Sequence, residues 1–222
     1  MNLADIVRHV DHTLLSPQAT KEQLQILLED SMKYGAASAC IPPSYVEWAC
    51  EYVDGRLPIC TVIGFPFGYQ SIEVKAFEAE RAIEAGASEV DMVIAIGRLK
   101  DGEDDYVLRE IKEVKKRVGK AILKVIVETA LLSNEEKIRI CRIVSESGAD
   151  FIKTSTGYAA GGATIEDIRL FKEYVADHVK IKASGGIGSL EEAQAFIDAG
   201  SDRLGTSRII KLIKEGECGE GY

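Results

Sequence analysis

Short apolar runs alternate along this chain with longer stretches in which apolar positions recur every three or four residues, the first pattern marking strands and the second amphipathic helices. Strands are expected at 9–15, 39–41, 58–63, 89–94, 122–127, 151–154, 179–183 and 203–205, and helices at 20–34, 45–53, 71–85, 106–118, 134–147, 165–175, 190–199 and 207–214. Within 20–34, Leu24, Leu27 and Leu28 give a period near that of a helix, and in 71–85 the stripe Val74, Phe77, Ala82 and Ala85 is expected to face the core. Ser133 and Glu136 form a Ser-x-x-Glu capping box, and Thr164 precedes the helix at 165. Eight strand–helix units behind a short N-terminal helix require a parallel sheet and favour a closed (β/α)8 TIM barrel. An open doubly wound sheet would want a Gly-x-Gly-x-x-Gly turn after its first strand, and Leu14-Leu15-Ser16-Pro17 offers none.

Four of the units share a finer signature, a helix ending at glycine followed by a small residue and a strand: Gly35, Gly86, Gly148 and Gly200. Five residues beyond each glycine stand Cys40, Asp91, Lys153 and Gly205. Because side chains alternate along strands, equal offsets from equivalent caps predict that these four share one height and one face.

Composition narrows the picture. The 222 residues are 46% hydrophobic with only five prolines and no Ser/Pro/Gln-rich linker, so residues 1–222 read as one domain. A net charge of -9 without a basic cluster argues against nucleic acid and against anionic membranes as partners. The odd set Cys40, Cys50, Cys60, Cys141 and Cys218 shows no CxxC spacing and reads as free thiols of a reducing compartment. The charged start and the lack of a long apolar run make a cytoplasmic protein the expectation. His9, His12 and His178 are scattered and pair with no thiol or carboxylate at ligand spacing, so no metal site and no cofactor are expected.

The candidate chemistry lies at strand ends. Lys153 sits in the apolar run Phe151-Ile152-Lys153-Thr154, with Lys124 and Lys182 each 29 residues away on neighbouring strands. A strand lysine can be a mere rim residue. In a dry barrel mouth beside a second cation, however, its ammonium form is disfavoured, and the neutral amine attacks carbonyls. Lys182 is the expected second cation. Lys124 reads either as a third charge toward substrate or as the partner of Asp91. Asp91, set among Val90, Met92 and Val93, reads either as a buried counter-ion or as a proton shuttle. Asp11 and Thr13 at the end of the first strand, Cys40 at the layer height and Thr156 after Lys153 complete the expected substrate-facing set, with His12 assigned to structure. Glycine-rich turns at Gly157, at Gly185 and Gly186, and at Gly205-Thr206-Ser207-Arg208 before a helix are expected to hold a phosphate, since that site in barrels follows strands seven and eight. The tail from Gly216 to Tyr222 reads as a frayed end.

Taken together, Asp11-His12-Thr13-Leu14, Thr61 to Pro66, Lys75 to Glu78, Glu89 to Val93, Leu123 to Thr129, Phe151 to Gly157, Lys182 to Ile187 and Gly205-Thr206-Ser207 resemble the deoxyribose-phosphate aldolase family nearly end to end. The resemblance implies a metal-free class I lyase of deoxynucleoside breakdown that reversibly cleaves 2-deoxyribose 5-phosphate to glyceraldehyde 3-phosphate and acetaldehyde, usually as a homo-oligomer, a dimer or tetramer. In it the residue at Lys153 forms a Schiff base, and those at Asp91 and Lys182 take part in proton transfer. Some members carry lysine where Tyr158 stands and serine where Arg208 stands, which leaves the phosphate contacts open. Another Schiff-base aldolase or transaldolase, and a non-catalytic sugar-phosphate sensor, are the alternatives.

Overall fold

The computed structural model describes residues 2–219. Eight parallel strands close in sequence order into a barrel: β1 (Val10–Thr13), β2 (Ser38–Ile41), β3 (Ile59–Ile63), β4 (Glu89–Val93), β5 (Ile122–Ile126), β6 (Phe151–Lys153), β7 (Lys180–Ser184) and β8 (Arg203–Thr206). Around them run α1 (Leu3–Val7), α2 (Lys21–Tyr34), α3 (Val46–Val53), α4 (Ile72–Glu84), α5 (Ile96–Lys100), α6 (Asp104–Val118), α7 (Asn134–Ser147), α8 (Ile165–Tyr174), α9 (Leu190–Asp198) and α10 (Ile209–Gly219). Thr20, Ser133 and Ser189 each cap a helix in a reciprocal box, and the four signature glycines all hold positive φ, between 75° and 117°. Among the described residues no helix is long and apolar enough to cross a membrane.

The apolar core lies between sheet and helices, where outward strand residues such as Ile41, Ile63, Met92, Val125, Ile152 and Leu204 meet helix residues such as Leu28, Ile111, Val144 and Phe171. The inside of the barrel is different. Barrel interiors are ordinarily filled with Val, Ile and Leu, but the inward residues here include Asp11, Glu89, Asp91, Lys124, Lys153, Lys182 and Arg203.

The strand registers compose to a stagger of eight residues around the closed sheet, the shear of this barrel class. With that stagger, Cys40, Asp91, Lys153 and Gly205 of the even strands fall in one layer, as the spacing predicts. The odd strands place Asp11, Cys60, Lys124 and Lys182 in the layer beneath, and Thr13, Val62, Ile126 and Ser184 in the layer toward the mouth.

Two expectations need correction, and some short elements carry no sequence signal. Val74 and Phe77 do not face the core: they are 47% and 61% exposed, and α4 instead buries Ile72, Lys75, Ala76, Ala79 and Ala82. The physical reason is Lys75. Its Nζ donates to Glu110 Oε1 at 2.5 Å, Gly68 O at 2.5 Å and Val93 O at 2.8 Å, so a fully satisfied ammonium occupies the inner face that an apolar reading assigns to phenylalanine. The short α5 and the 3₁₀ turns Pro43–Tyr45 and Thr129–Leu131 lack a periodic signal and escape sequence analysis. α10 continues through Gly219, past the expected frayed start at Gly216, while Tyr222 lies outside the described residues.

Candidate active site

Asp91 is the centre of the barrel's interior. Its Oδ2 accepts from Lys153 Nζ at 2.7 Å and from Lys182 Nζ at 2.8 Å, and its Oδ1 accepts from Lys124 Nζ at 2.9 Å and Cys60 Sγ at 3.2 Å. Lys153 and Lys182 are in register on adjacent strands and share one oxygen, so their nitrogens lie no farther apart than two hydrogen bonds end to end. Beneath them, Lys182 Nζ lies 2.5 Å from Asp11 Oδ2, Lys124 Nζ lies 2.6 Å from Glu89 Oε2, and Arg203 ties Asp11 to Glu89. None of Asp11, Asp91, Lys124 and Lys182 exposes any surface.

Charge explains why so many ions tolerate burial. Burial alone would push the Asp91 carboxyl up, but Lys124, Lys153 and Lys182 overcome it and hold the group well below the ordinary carboxylate range. The same contest, with Lys182, Lys124 and Arg203 as the cations, lowers Asp11. Burial pulls Lys182 and Lys124 downward, yet the surrounding carboxylates leave both raised. Lys124, Lys182 and Arg203 therefore balance Asp11, Glu89 and Asp91, three cations against three anions, before Lys153 is counted. Lys153 is the one lysine of the three set in the upper layer, toward the barrel mouth, and it retains 3% exposure.

Cys40, Cys60 and Asp91 bring thiol and carboxylate atoms within 4.8 Å of one another, which is the geometry of a possible metal site among the described residues. Both Asp91 oxygens are already engaged by lysine ammonium groups, so a cation there would have to displace one of them. Burial pushes the Cys60 thiol well up, whereas its hydrogen bond to Cys40 lowers the latter. Cys40 is sealed against Cys60, Val62, Leu15 and Phe65.

Above this network opens a cleft of about 630 Å³ between the ends of β1, β6, β7 and β8. Every residue expected to hold phosphate lines it: Gly157, Gly185 and Gly186, then Gly205, Thr206, Ser207 and Arg208. α10 begins at its edge, so the positive end of that helix dipole faces the cleft. Gly185 and Gly186 hold φ of 84° and 81°, conformations that side chains resist. Gly205 has a second reason: a Cβ there would come within 2.5 Å of Ser184 Oγ and 3.1 Å of Lys182 Cε, so its bare backbone makes room for the lysine stem.

Not every expected contact faces the cleft. Thr13 lines it, but Asp11 and Lys124 are buried in the layer below and orient the lysines. Thr156 lines it while turning both donors away, its N–H and hydroxyl bonding Glu128 Oε2 at 3.1 and 2.5 Å. His12 alternates outward from Asp11 beneath α2, where burial pushes its imidazole down. Sequence reasoning missed Glu128, Glu89 and Arg203. For Glu128 a signal existed, an acid directly after the apolar run of β5, at the strand end where barrel chemistry concentrates.

Residues 6–206 match the model of the DeoC/LacD family aldolases. The chain belongs to that family. It is 54% identical over 209 residues to a deoxyribose-phosphate aldolase of Clostridioides difficile, covering 94% of this chain and 95% of that one. The fold of this family member superposes with TM-score 0.93 on a putative deoxyribose-phosphate aldolase from Coccidioides immitis, at 38% identity and covering 98% and 87% of the two chains. It also matches the tetrameric deoxyribose phosphate aldolase of Aeropyrum pernix at TM-score 0.90 and 31% identity, covering 97% and 92%.

Proposed function

We propose that this lyase cleaves 2-deoxyribose 5-phosphate to glyceraldehyde 3-phosphate and acetaldehyde through a Schiff base on Lys153. The observation that carries the reading is a buried amine sharing one carboxylate oxygen with a second lysine, directly under a cleft with the glycine turns and helix terminus suited to phosphate. The free amine of Lys153 adds to the C1 aldehyde, and loss of water gives the iminium. The C2–C3 bond then breaks, its electrons pass into the iminium to form an enamine, and the C3 hydroxyl loses its proton to Asp91 directly or through water. As the electrons arrive, the nitrogen of Lys153 loses its positive charge, so Asp91 sheds one of its three cationic neighbours and gains proton affinity when the C3 hydroxyl must be deprotonated. Glyceraldehyde 3-phosphate departs. Asp91 and Lys182 return a proton to C2 of the enamine, and hydrolysis releases acetaldehyde and the amine. The iminium is the electron sink, so the step needs no added electrophile.

The expected result is stoichiometric formation of both products from 2-deoxyribose 5-phosphate with little turnover of ketose phosphates. Preferential cleavage of a ketose phosphate would assign a different aldolase, and no cleavage of any sugar phosphate would leave a sensor. The thiols of Cys40, Cys50, Cys60 and Cys141 are unpaired and suit a cytoplasmic enzyme.

The exposed face of α4 supports a homo-oligomer. Phe67 stacks on Tyr69 at 5.4 Å just ahead of α4, Val74 and Phe77 are exposed on α4 itself, and Phe77 borders a cleft lined by Glu73, Glu80, Glu113, Arg109 and Arg117. Both signs of charge line this cleft, so the same surface on a second copy could pair acid with base across a two-fold contact. Sedimentation should show Phe77→Glu at a smaller mass than wild type. An unchanged mass would remove this face from the assembly.

A further inference from the structure

Glu128 is not used by the chemistry above, yet the fold goes to some length to place it. It is one of two non-glycine residues at positive φ among the described residues, at 56°, and only 2% of it is exposed. The cause is a slip in the ladder between β5 and β6. Val127 N donates to Lys153 O at 3.0 Å, and a regular parallel pairing would send the next bond, from Thr129 N, to residue 155. Thr129 N donates instead to Thr154 O at 2.9 Å, so Glu128 is an extra residue bulged at the barrel rim, where such bulges re-aim a side chain. The side chain is aimed at Thr156. Glu128 Oε2 takes both Thr156 donors, Thr156 Oγ1 accepts from Tyr158 N at 3.0 Å, Tyr158 Oη donates to Leu15 O at 2.8 Å, and the Tyr158 ring stands edge-on to Phe65 with centroids 5.4 Å apart. One buried carboxylate thus anchors a strap that starts at β5, includes the turn after Lys153, and ends on the loop after β1. Thr156, Gly157, Tyr158 and Leu15 are cleft wall.

We infer that Glu128 is a positioning residue that fixes the Thr156–Tyr158 wall of the cleft and thereby the enzyme's preference for a phosphorylated over an unphosphorylated sugar. Both Thr156 donors bond Glu128 Oε2, while Oε1 is buried without a hydrogen-bond partner, so the hold of this side chain on the wall runs through Thr156. The inference rests on the deoxyribose-phosphate reading. The informative variant is Glu128→Gly, because glycine accepts the left-handed backbone and the substitution removes the carboxylate without adding strain.

With 2-deoxyribose 5-phosphate, Glu128→Gly should lose roughly 10- to 100-fold in kcat/KM, mainly through KM, the scale of a misplaced binding wall. With unphosphorylated 2-deoxyribose it should stay near wild type, and borohydride should still trap acetaldehyde on the protein. Glu128→Gln, whose amide oxygen still accepts from Thr156, should recover most of the preference. Equal losses on both sugars, no loss on either, or a Gln variant as impaired as the Gly variant would each overturn the inference. Wild-type protein inactive on both sugars would end the aldolase reading instead. Affinity for inorganic phosphate, measured calorimetrically in wild type and Glu128→Gly, then reads the same link, and an unchanged affinity would overturn the role of Glu128.

Discussion

Replacing Lys153 by leucine is expected to abolish carbon–carbon cleavage and leave the barrel folded. Neither neighbouring lysine can take over: Lys124 and Lys182 have no exposed surface, and carboxylates keep both protonated. The loss should reach on the order of 10⁴- to 10⁶-fold in kcat, the scale found when a covalent nucleophile is removed. Stability should change little by comparison, because Asp91 keeps Lys124 on one oxygen and Lys182 on the other, and leucine refills most of the stem's volume. The measurement is mass spectrometry after acetaldehyde and borohydride: wild type gains one ethyl group on the peptide containing Lys153, and the variant gains none. Near-normal turnover by Lys153→Leu, or an adduct mapped to Lys182, would discard the assignment.

The architecture was legible in the sequence because the barrel repeats a local rule. In four of the units a glycine just past the helix end takes positive φ, the strand starts three residues later, and the layer of Cys40, Asp91, Lys153 and Gly205 follows from counting. The lysine pair was legible for the same reason, since equal spacing on adjacent strands produces register. What could not be read depends on partners far away in the chain. That Asp11 supports Lys182 rather than facing the cleft follows from Arg203, 192 residues later, and from Ser38 at 2.8 Å. Lys75 looks like a surface residue until Glu110 is found opposite it. Glu128 reads as the end of a strand, because a one-residue slip in pairing leaves no mark in hydrophobic periodicity.

Asp91→Asn is expected to cost both activity and stability, and a second substitution separates the two. Asparagine keeps the size but not the charge, so Lys124, Lys153 and Lys182 lose their shared anion, and breaking a buried pair of this kind costs on the order of 3–5 kcal/mol. Proton transfer at C3 and C2 suffers as well, by about 10²- to 10⁴-fold. Adding Lys124→Met removes one of the stranded cations and leaves Lys182 and Arg203 against Asp11 and Glu89, balanced again. The double variant should therefore be more stable than the sum of the single losses by about 0.5–3 kcal/mol, while its activity stays low. Acidity gives an independent reading. Asp91 and Asp11 are held below their unfolded values, so their contribution is present above the ordinary carboxylate range near ~4 and is lost as pH falls through the folded values. Lys124 and Lys182 are raised, so theirs is complete below ~10.4 and is lost only as pH rises through values higher still. Stability from this network is thus flat across neutral pH and falls on the acid side, and Asp91→Asn should flatten that acid limb in denaturant melts. If the limb keeps its wild-type slope, or if the two substitutions simply add, Asp91 is not the anion that holds the lysines together, and its place in the proton transfers loses its physical basis.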